Sequence, residues 1–279
     1  MVETKAMSIP MEDNFEDILG KAMRGTGIDV EQLSFMTGVE TDTIAMLMTG
    51  ELDESALVQL AGPLGLDGAT LLERAREAWR PAPVEIEGLR QFNTPYGEMR
   101  VNAYLVWDPS SREAALFDTG TDASAPLALV DELGLDLTAL FLTHTHLDHI
   151  MDRQRVAARR PDLSVRVNAL EPVDGAERFL AGEAFMIGTL RVSTRLTKGH
   201  SPGGTTFAVH GLDRPVAIAG DALFAQSMGG GMVSYHDALA TNRSEVFTLP
   251  DDTVVCPGHG PMTSVTEEKA HNPFFPEFK

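Results

Sequence analysis

Four separate apolar runs in this chain each lead into a residue that can bind a cation, and no other feature constrains the fold as much. "ALFL" leads to His144, "RVSTRLT" to His200, "PVAIAG" to Asp221 and "TVVCPG" to His259. Each run has the length and the aliphatic or β-branched content of a buried strand, and Gly or Pro marks several of the ends. In α/β folds, sites assemble in the loops that leave sheet strands, because rigid strands fix the geometry. The pattern therefore calls for a fold that carries four strand ends to one edge.

The first of these ends is the densest. "ALFLTHTHLDHI", residues 139–150, places His144, His146, Asp148 and His149 within six residues of a chain that has only eight histidines. Core histidines come singly, and a solvated loop would draw on Ser, Asn, Lys or Glu, so a metal site is the reading this density supports. With His200, Asp221 and His259 the set reaches seven donors. A zinc-like ion takes three or four protein ligands, and a catalytic one keeps a position open for water. Seven is too many for one ion but suits three plus three with one bridging carboxylate. All seven are oxygen or imidazole nitrogen donors, which suits two divalent ions, with Zn expected and Fe or Mn compatible. Two ions about 3.5–4 Å apart would hold a hydroxide between them and polarise a carbonyl or phosphoryl group.

Composition sets the outer limits. A chain of 279 residues, 43% hydrophobic, can bury one large core and a smaller one. No apolar run approaches the roughly 20 residues that span a bilayer. The start, "MVETKAMSIPMEDNFEDI", is acidic and lacks the basic-then-apolar pattern of a secretory leader. A single cysteine, Cys256, excludes an internal disulfide and a cysteine-based zinc knuckle. These features together predict a cytoplasmic protein. The formal charge of −19 argues against nucleic acid and anionic membrane as partners.

The chain changes character near residue 81. Residues 1–80 show helical apolar spacing broken at glycines, and "PAPVEIEGL" then reads as a linker entering a strand. From there short β-like runs alternate with helical stretches such as "APLALVDELG" and "RQRVAAR". The expected domains are thus 1–80 and 81–279. Within the first, residues 28–75 resemble the repressor-like helix-turn-helix family. They carry a helix ending at Gly38, a second helix from about Thr41, then Gly50 and two further helices. Such domains hold phosphates with Lys and Arg. Between Ile28 and Leu52 there is no Lys or Arg and there are five acids, while residues 1–80 carry 6 basic and 15 acidic residues. The segment is therefore expected to pack, to join two copies of the chain or to bind a partner rather than to bind DNA. Met36, Met46 and Met48 are read as core or interface.

The motifs "HTHLDH", "GHSPGG", "AGDALF" and "CPGHGP", in that order, resemble the metallo-β-lactamase superfamily over roughly residues 85–279. "GDALFAQSMGG" and "GPMTSVTEEKAHNPFF" point to its glyoxalase II-like (hydroxyacylglutathione hydrolase-like) branch. The resemblance implies an αββα sandwich, here with a small all-α N-terminal domain. It gives His144, His146 and His200 to one ion and Asp148, His149 and His259 to the second, with Asp221 bridging. Asp118 in "LFDTG" matches a family acid that supports the ligands from behind. The implied reaction is attack of a metal-bridging hydroxide on an acyl thioester, with Asp148 and Asp221 as the catalytic carboxylates. Tyr235, His236, Arg243 and Lys269 are candidate substrate contacts. Twenty residues follow His259, so the family's longer C-terminal helical part, which carries much of its glutathione site, has no counterpart in this sequence. "IMDRQR" likewise replaces a small-residue turn. Whether glutathione belongs to the substrate stays open, another thioester or ester being the alternative. Two other readings also stay open: a mononuclear-iron persulfide dioxygenase, and a regulator whose helix-turn-helix binds DNA while the large domain senses a ligand.

Overall fold

A computed structural model describes residues 9–159 and 162–279. Among the described residues twelve strands form two six-stranded sheets, and the alternation of side chains along each strand shows how the sheets stack. The first sheet contains β1 (Leu89–Tyr96), β2 (Met99–Trp107), β3 (Glu113–Phe117), β4 (Asp136–Leu142), β5 (Ser164–Asn168) and β6 (Glu177–Phe179), in that order. The second runs β12 (Thr263–Ser264), β11 (Val254–Pro257), β10 (Val216–Gly220), β9 (Thr205–His210), β8 (Leu190–Leu196), β7 (Ala184–Ile187). β3 to β6 are mutually parallel, as are β10 and β11, whereas the remaining neighbours are antiparallel.

Tyr104 and Val106 of β2, Ala139 and Phe141 of β4, Val216 and Ile218 of β10, and Val254 and Cys256 of β11 all enter the core between the sheets. Their alternates leave by the opposite faces. Ala103, Leu105, Leu140 and Leu142 pack under α6 (Ser124–Leu133) and α8 (Arg153–Ala157). Ala217, Ala219 and Val255 join the layer that holds α9 (Tyr235–Thr241) and α10 (Val265–His271). The result is a helix–sheet–sheet–helix sandwich. At about 1.5–3 kcal/mol per buried large apolar side chain, these faces are the main source of its stability.

Among the described residues five α-helices precede the sandwich: α1 (Phe15–Thr26), α2 (Val30–Thr37), α3 (Thr41–Leu47), α4 (Glu54–Ala61) and α5 (Gly68–Ala75). α2 shows why they begin and end where they do. The Asp29 carboxylate accepts from Gln32 N, Gln32 Oε1 accepts from Asp29 N, and Gly38 closes the helix at φ 76°. The apolar face of these helices is continuous with the outer layer of the second sheet. Ile18, Leu19, Leu57, Leu60 and Leu71 belong to the same cluster as Ala217, Leu223, Met228, Phe274 and Phe275. Met48 packs against that cluster, but Met36 and Met46, like Phe35, are exposed, so the core reading fails for those two and the interface reading is left. Their helices are short, and the buried positions on them are Leu33, Ile44 and Leu47.

Candidate metal centre

Parallel strands deliver their C-terminal ends to the same edge, which is how the fold meets the demand made by the sequence. β4 ends before His144, β8 before His200, β10 before Asp221 and β11 before His259. α7 (Leu147–Ile150), a single turn, then carries Asp148 and His149 back over the edge. The donors fall into two groups, His144, His146, His200 and Asp221 in one and Asp148, His149 and His259 in the other. Within each group the donor atoms lie inside 4.8 Å of one another.

In the first group His146 Nδ1 lies 3.1 Å from His144 Nε2 and 2.9 Å from His200 Nε2. Asp221 Oδ2 is 3.2 Å from His200 Nε2 and 3.9 Å from His144 Nε2. In the second, His259 Nε2 lies 3.4 Å from Asp148 Oδ2, and His149 Nε2 lies 3.7 Å from the same oxygen. Asp221 reaches this group too, with Oδ1 3.2 Å from His149 Nε2 and Oδ2 3.4 Å from His259 Nε2. Metal–nitrogen bonds of about 2.0–2.1 Å in a tetrahedron set neighbouring ligand atoms about 3.3 Å apart, so these separations fit bound cations. His149 Nε2 and Asp221 Oδ1 are buried and have no hydrogen-bond partner, a costly state that a metal ion would relieve.

In four of the five histidines the outward nitrogen has a partner. His149 Nδ1 donates to Asp118 Oδ2 at 2.8 Å, His259 Nδ1 to the Arg100 carbonyl at 2.6 Å and His200 Nδ1 to the Gly230 carbonyl at 2.9 Å. His144 Nδ1 lies 3.1 Å from Thr143 Oγ1, which itself donates to Asp118 Oδ2 at 2.7 Å. Such bonds fix each ring's tautomer and leave the other nitrogen free to ligate. The charges point the same way. Burial opposes charge on His149, yet Asp221 and Asp118 lift its pKa to about 10. Burial likewise opposes charge on His259, which Asp221 and the bond to Asp148 carry to about 11. Burial pushes Asp221 up, but His259 and His149 hold it well below the usual carboxylate range. His144 and His200 fall below the ordinary histidine value, chiefly through burial. The centre is thus rich in carboxylate and short of cations.

Two supporting residues went unnoticed in the sequence. Glu171, buried, accepts from Thr145 N at 3.2 Å and Thr145 Oγ1 at 2.7 Å through one oxygen and from Gly203 N at 2.8 Å through the other. It ties the loop of His144 and His146 to the loop of His200. Asn102, also buried, donates to the carbonyls of Pro257 and Gly260 and so holds the turn that bears His259. An acid after a strand-like run was the only sequence signal for Glu171, and nothing marked Asn102.

The four substrate candidates each have protein neighbours of their own. Arg243 pairs with Glu277 over the Phe275 ring, and Lys269 pairs with Asp251 at 2.6 Å. The Tyr235 ring lies where a side chain at Gly25 would stand and is edge-on to Phe274, so it serves the contact with α1. His236 is exposed on α9 beside Asp237.

A family model described as the metallo-beta-lactamase superfamily matches residues 96–259, from the end of β1 to the last histidine of the cluster. The chain belongs to the metallo-β-lactamase superfamily. Human persulfide dioxygenase ETHE1, mitochondrial, is 31% identical over 180 residues, covering 61% of this chain and 69% of that protein. Hydroxyacylglutathione hydrolase GloC of Haemophilus influenzae (strain ATCC 51907 / DSM 11121 / KW20 / Rd) is 27% identical over 207 residues, covering 64% of this chain and 95% of its own. The crystal structure of TTHA1623 in a di-iron-bound form aligns with a TM-score of 0.55 at 27% identity, over 66% of this chain and 99% of that one. The superfamily's His/Asp metal-binding sites are represented here, and α1 to α5 lie outside the matched residues. Among the described residues no helix is long and apolar enough to cross a membrane.

Proposed function

We propose that this chain is a dinuclear metal-dependent hydrolase of acyl thioesters or related esters. The observation that carries the reading is Asp221, whose two oxygens each come within 3.4 Å of donor nitrogens, in both groups. His144, His146 and His200 would hold one ion and Asp148, His149 and His259 the other, with zinc, iron or manganese all matching the donors. Bound ions of this kind supply a nucleophile from water at neutral pH and polarise the acyl carbonyl. Asp221 keeps the two groups in register, and Asp148, 3.4 Å from His259 Nε2, is the carboxylate we assign to proton handling. His146, the exposed member of the set, marks the side from which substrate enters. Asp118 and Glu171 hold the ligand loops against the strands.

The second reading, a mononuclear-iron dioxygenase acting on persulfides, draws on the 31% identity to ETHE1. The complete second donor group favours the dinuclear hydrolase. Residues 28–75 fit our reading of a repressor-like helix-turn-helix unit used for packing. The helix pair flanking Gly38 supports it, and the absence of any basic residue between Ile28 and Leu52 argues against a DNA-binding regulator. We assign residues 1–80 and 81–279 to the helical unit and the hydrolase, and take exposed Phe35, Met36 and Met46 as the place where two copies would join.

The deciding experiment compares one preparation loaded separately with zinc and with iron. S-Lactoylglutathione and a simple acyl thioester are offered without dioxygen, and oxygen uptake is followed with glutathione persulfide. Close to two ions per chain and anaerobic thioester cleavage are expected. One iron per chain, oxygen uptake with persulfide and no thioester cleavage would transfer the assignment to the dioxygenase.

A further inference from the structure

The residues just before α1 lie against the metal centre. Glu12 Oε1 is 3.8 Å from His259 Nδ1, and the Glu12 side chain is only 18% exposed. The strap is close enough to the turn after His259 that a Cβ at Gly260 would stand 3.4 Å from Glu12 N and 3.7 Å from the Pro10 carbonyl. Next in sequence, buried Asp13 binds both Lys21 of α1 and the Ser227 hydroxyl. Lys21 also donates to the Met228 carbonyl at 2.9 Å and sits 5.1 Å above the Phe224 ring. That ring meets the imidazole of His259 edge to face, with 5.5 Å between centroids. From α5, Arg74 Nε donates to the Asp13 carbonyl at 2.9 Å, and Glu73 accepts from Gln226 Nε2 at 2.9 Å. The segment that follows Asp221 is thus gripped from the helical unit at Gln226, Ser227 and Met228.

We propose that Glu12 is a positioning residue of the second ion site, supplied by the helical unit from outside the matched superfamily region. The geometry is specific. His259 Nδ1 already donates to the Arg100 carbonyl, so the Glu12 carboxyl group stands behind that bond, 3.8 Å from Nδ1, while Nε2 faces Asp148 and Asp221. A negative charge on the far side of a ligating imidazole raises its basicity, and since losing a directly hydrogen-bonded partner there typically weakens metal affinity about 10–100-fold, a charge one contact further out belongs at the low end of that range. Glu12 approaches the centre at His259, so its effect falls chiefly on the ion that His259 would hold. The Asp13–Lys21 pair holds the strap against Ser227 and Met228 and thereby keeps Glu12 in place.

The inference rests on the dinuclear reading, and one titration separates the two. Metal-free full-length chain is titrated with zinc against a chromophoric chelator, and the second step is identified as the one that His259→Ala abolishes. In Glu12→Gln, which keeps shape and removes charge, that step weakens about 10-fold. The first step and the urea midpoint of the metal-free chain stay where they are, and Glu12→Asp recovers part of the loss. Two ions in the unmodified chain with no change in Glu12→Gln overturn the role of Glu12 alone. Equal weakening of both steps with a lower urea midpoint also overturns it, since that is what a merely structural residue would do. A single ion in the unmodified chain overturns the dinuclear reading and this inference with it.

Discussion

Asp118 concentrates several of the demands made on the centre. One oxygen accepts from Thr143 N at 2.8 Å, and the other accepts from Thr143 Oγ1 at 2.7 Å and His149 Nδ1 at 2.8 Å. Its backbone takes φ 56°, which few residues other than glycine adopt, although a short polar side chain tolerates it. An amide of the same shape cannot accept all three bonds, because one of its ends carries hydrogens. Asp118→Asn is therefore expected to release the ring of His149 and to lower metal affinity about 10–100-fold, as loss of such supporting partners does. Metal analysis after dialysis against a weak chelator checks this, and full retention of two ions would refute it. Asp118 was visible beforehand because "LFDTG" is a recognisable stretch. Glu171 was not, because "NALEPVD" reads as an ordinary polar loop. Its burial depends on Thr145 and Gly203, 26 and 32 residues away, and no local pattern reports such a closure.

Among the secondary-structure elements, the strands were legible and their neighbours were not. The runs before His144, Asp221 and His259 are indeed β4, β10 and β11, and α2, α3 and α6 stand where their caps and periodicity set them. Three-residue β6 and two-residue β12 are too short to carry a period, and strand order follows from contacts that a single run does not encode. Because β10 and β11 are parallel, the residues after them arrive side by side, which forces a close approach. Gly258 makes it possible, since a Cβ there would stand 2.1 Å from Asp221 Oδ1 and 2.7 Å from His149 Cε1. Either the shared carboxylate or the ring must then move. Gly258→Ala is expected to keep the far-UV circular dichroism of the fold and to cut metal-supported hydrolysis by more than about 10-fold, since displacements of about 1 Å in a site are that costly. Unchanged turnover at two ions per chain would show that the strand ends have slack the geometry does not suggest.

Taken as a whole molecule, the chain is tied together more closely than a catalytic domain with an appended helical one. The helices of residues 15–75 and the outer layer of the second sheet form one apolar cluster, and polar ties cross the same boundary. Asp67 N donates to the Pro273 carbonyl at 2.8 Å, Glu73 bonds both Gln226 and His271, and Trp79 stacks on His271 with 4.3 Å between centroids. Sequence alone placed a change of character near residue 81 but could not show this, because the partners are on average some two hundred positions apart and individually look like surface residues. Uncovering even three or four large apolar side chains costs about 5–10 kcal/mol, which is comparable to the whole stability of a typical domain, about 5–15 kcal/mol. Deleting residues 1–80 is therefore expected to yield a chain that aggregates or exposes apolar surface, rather than a smaller working enzyme. The check is expression of residues 81–279 beside the full chain, followed by size-exclusion chromatography, binding of a hydrophobic dye and metal content. A soluble, monodisperse fragment holding two ions with undiminished thioester cleavage would show that the helical unit is dispensable. An aggregated or dye-binding fragment, or one that keeps its sheet content but loses the second ion, follows from the shared core and from the grip on residues 226–228.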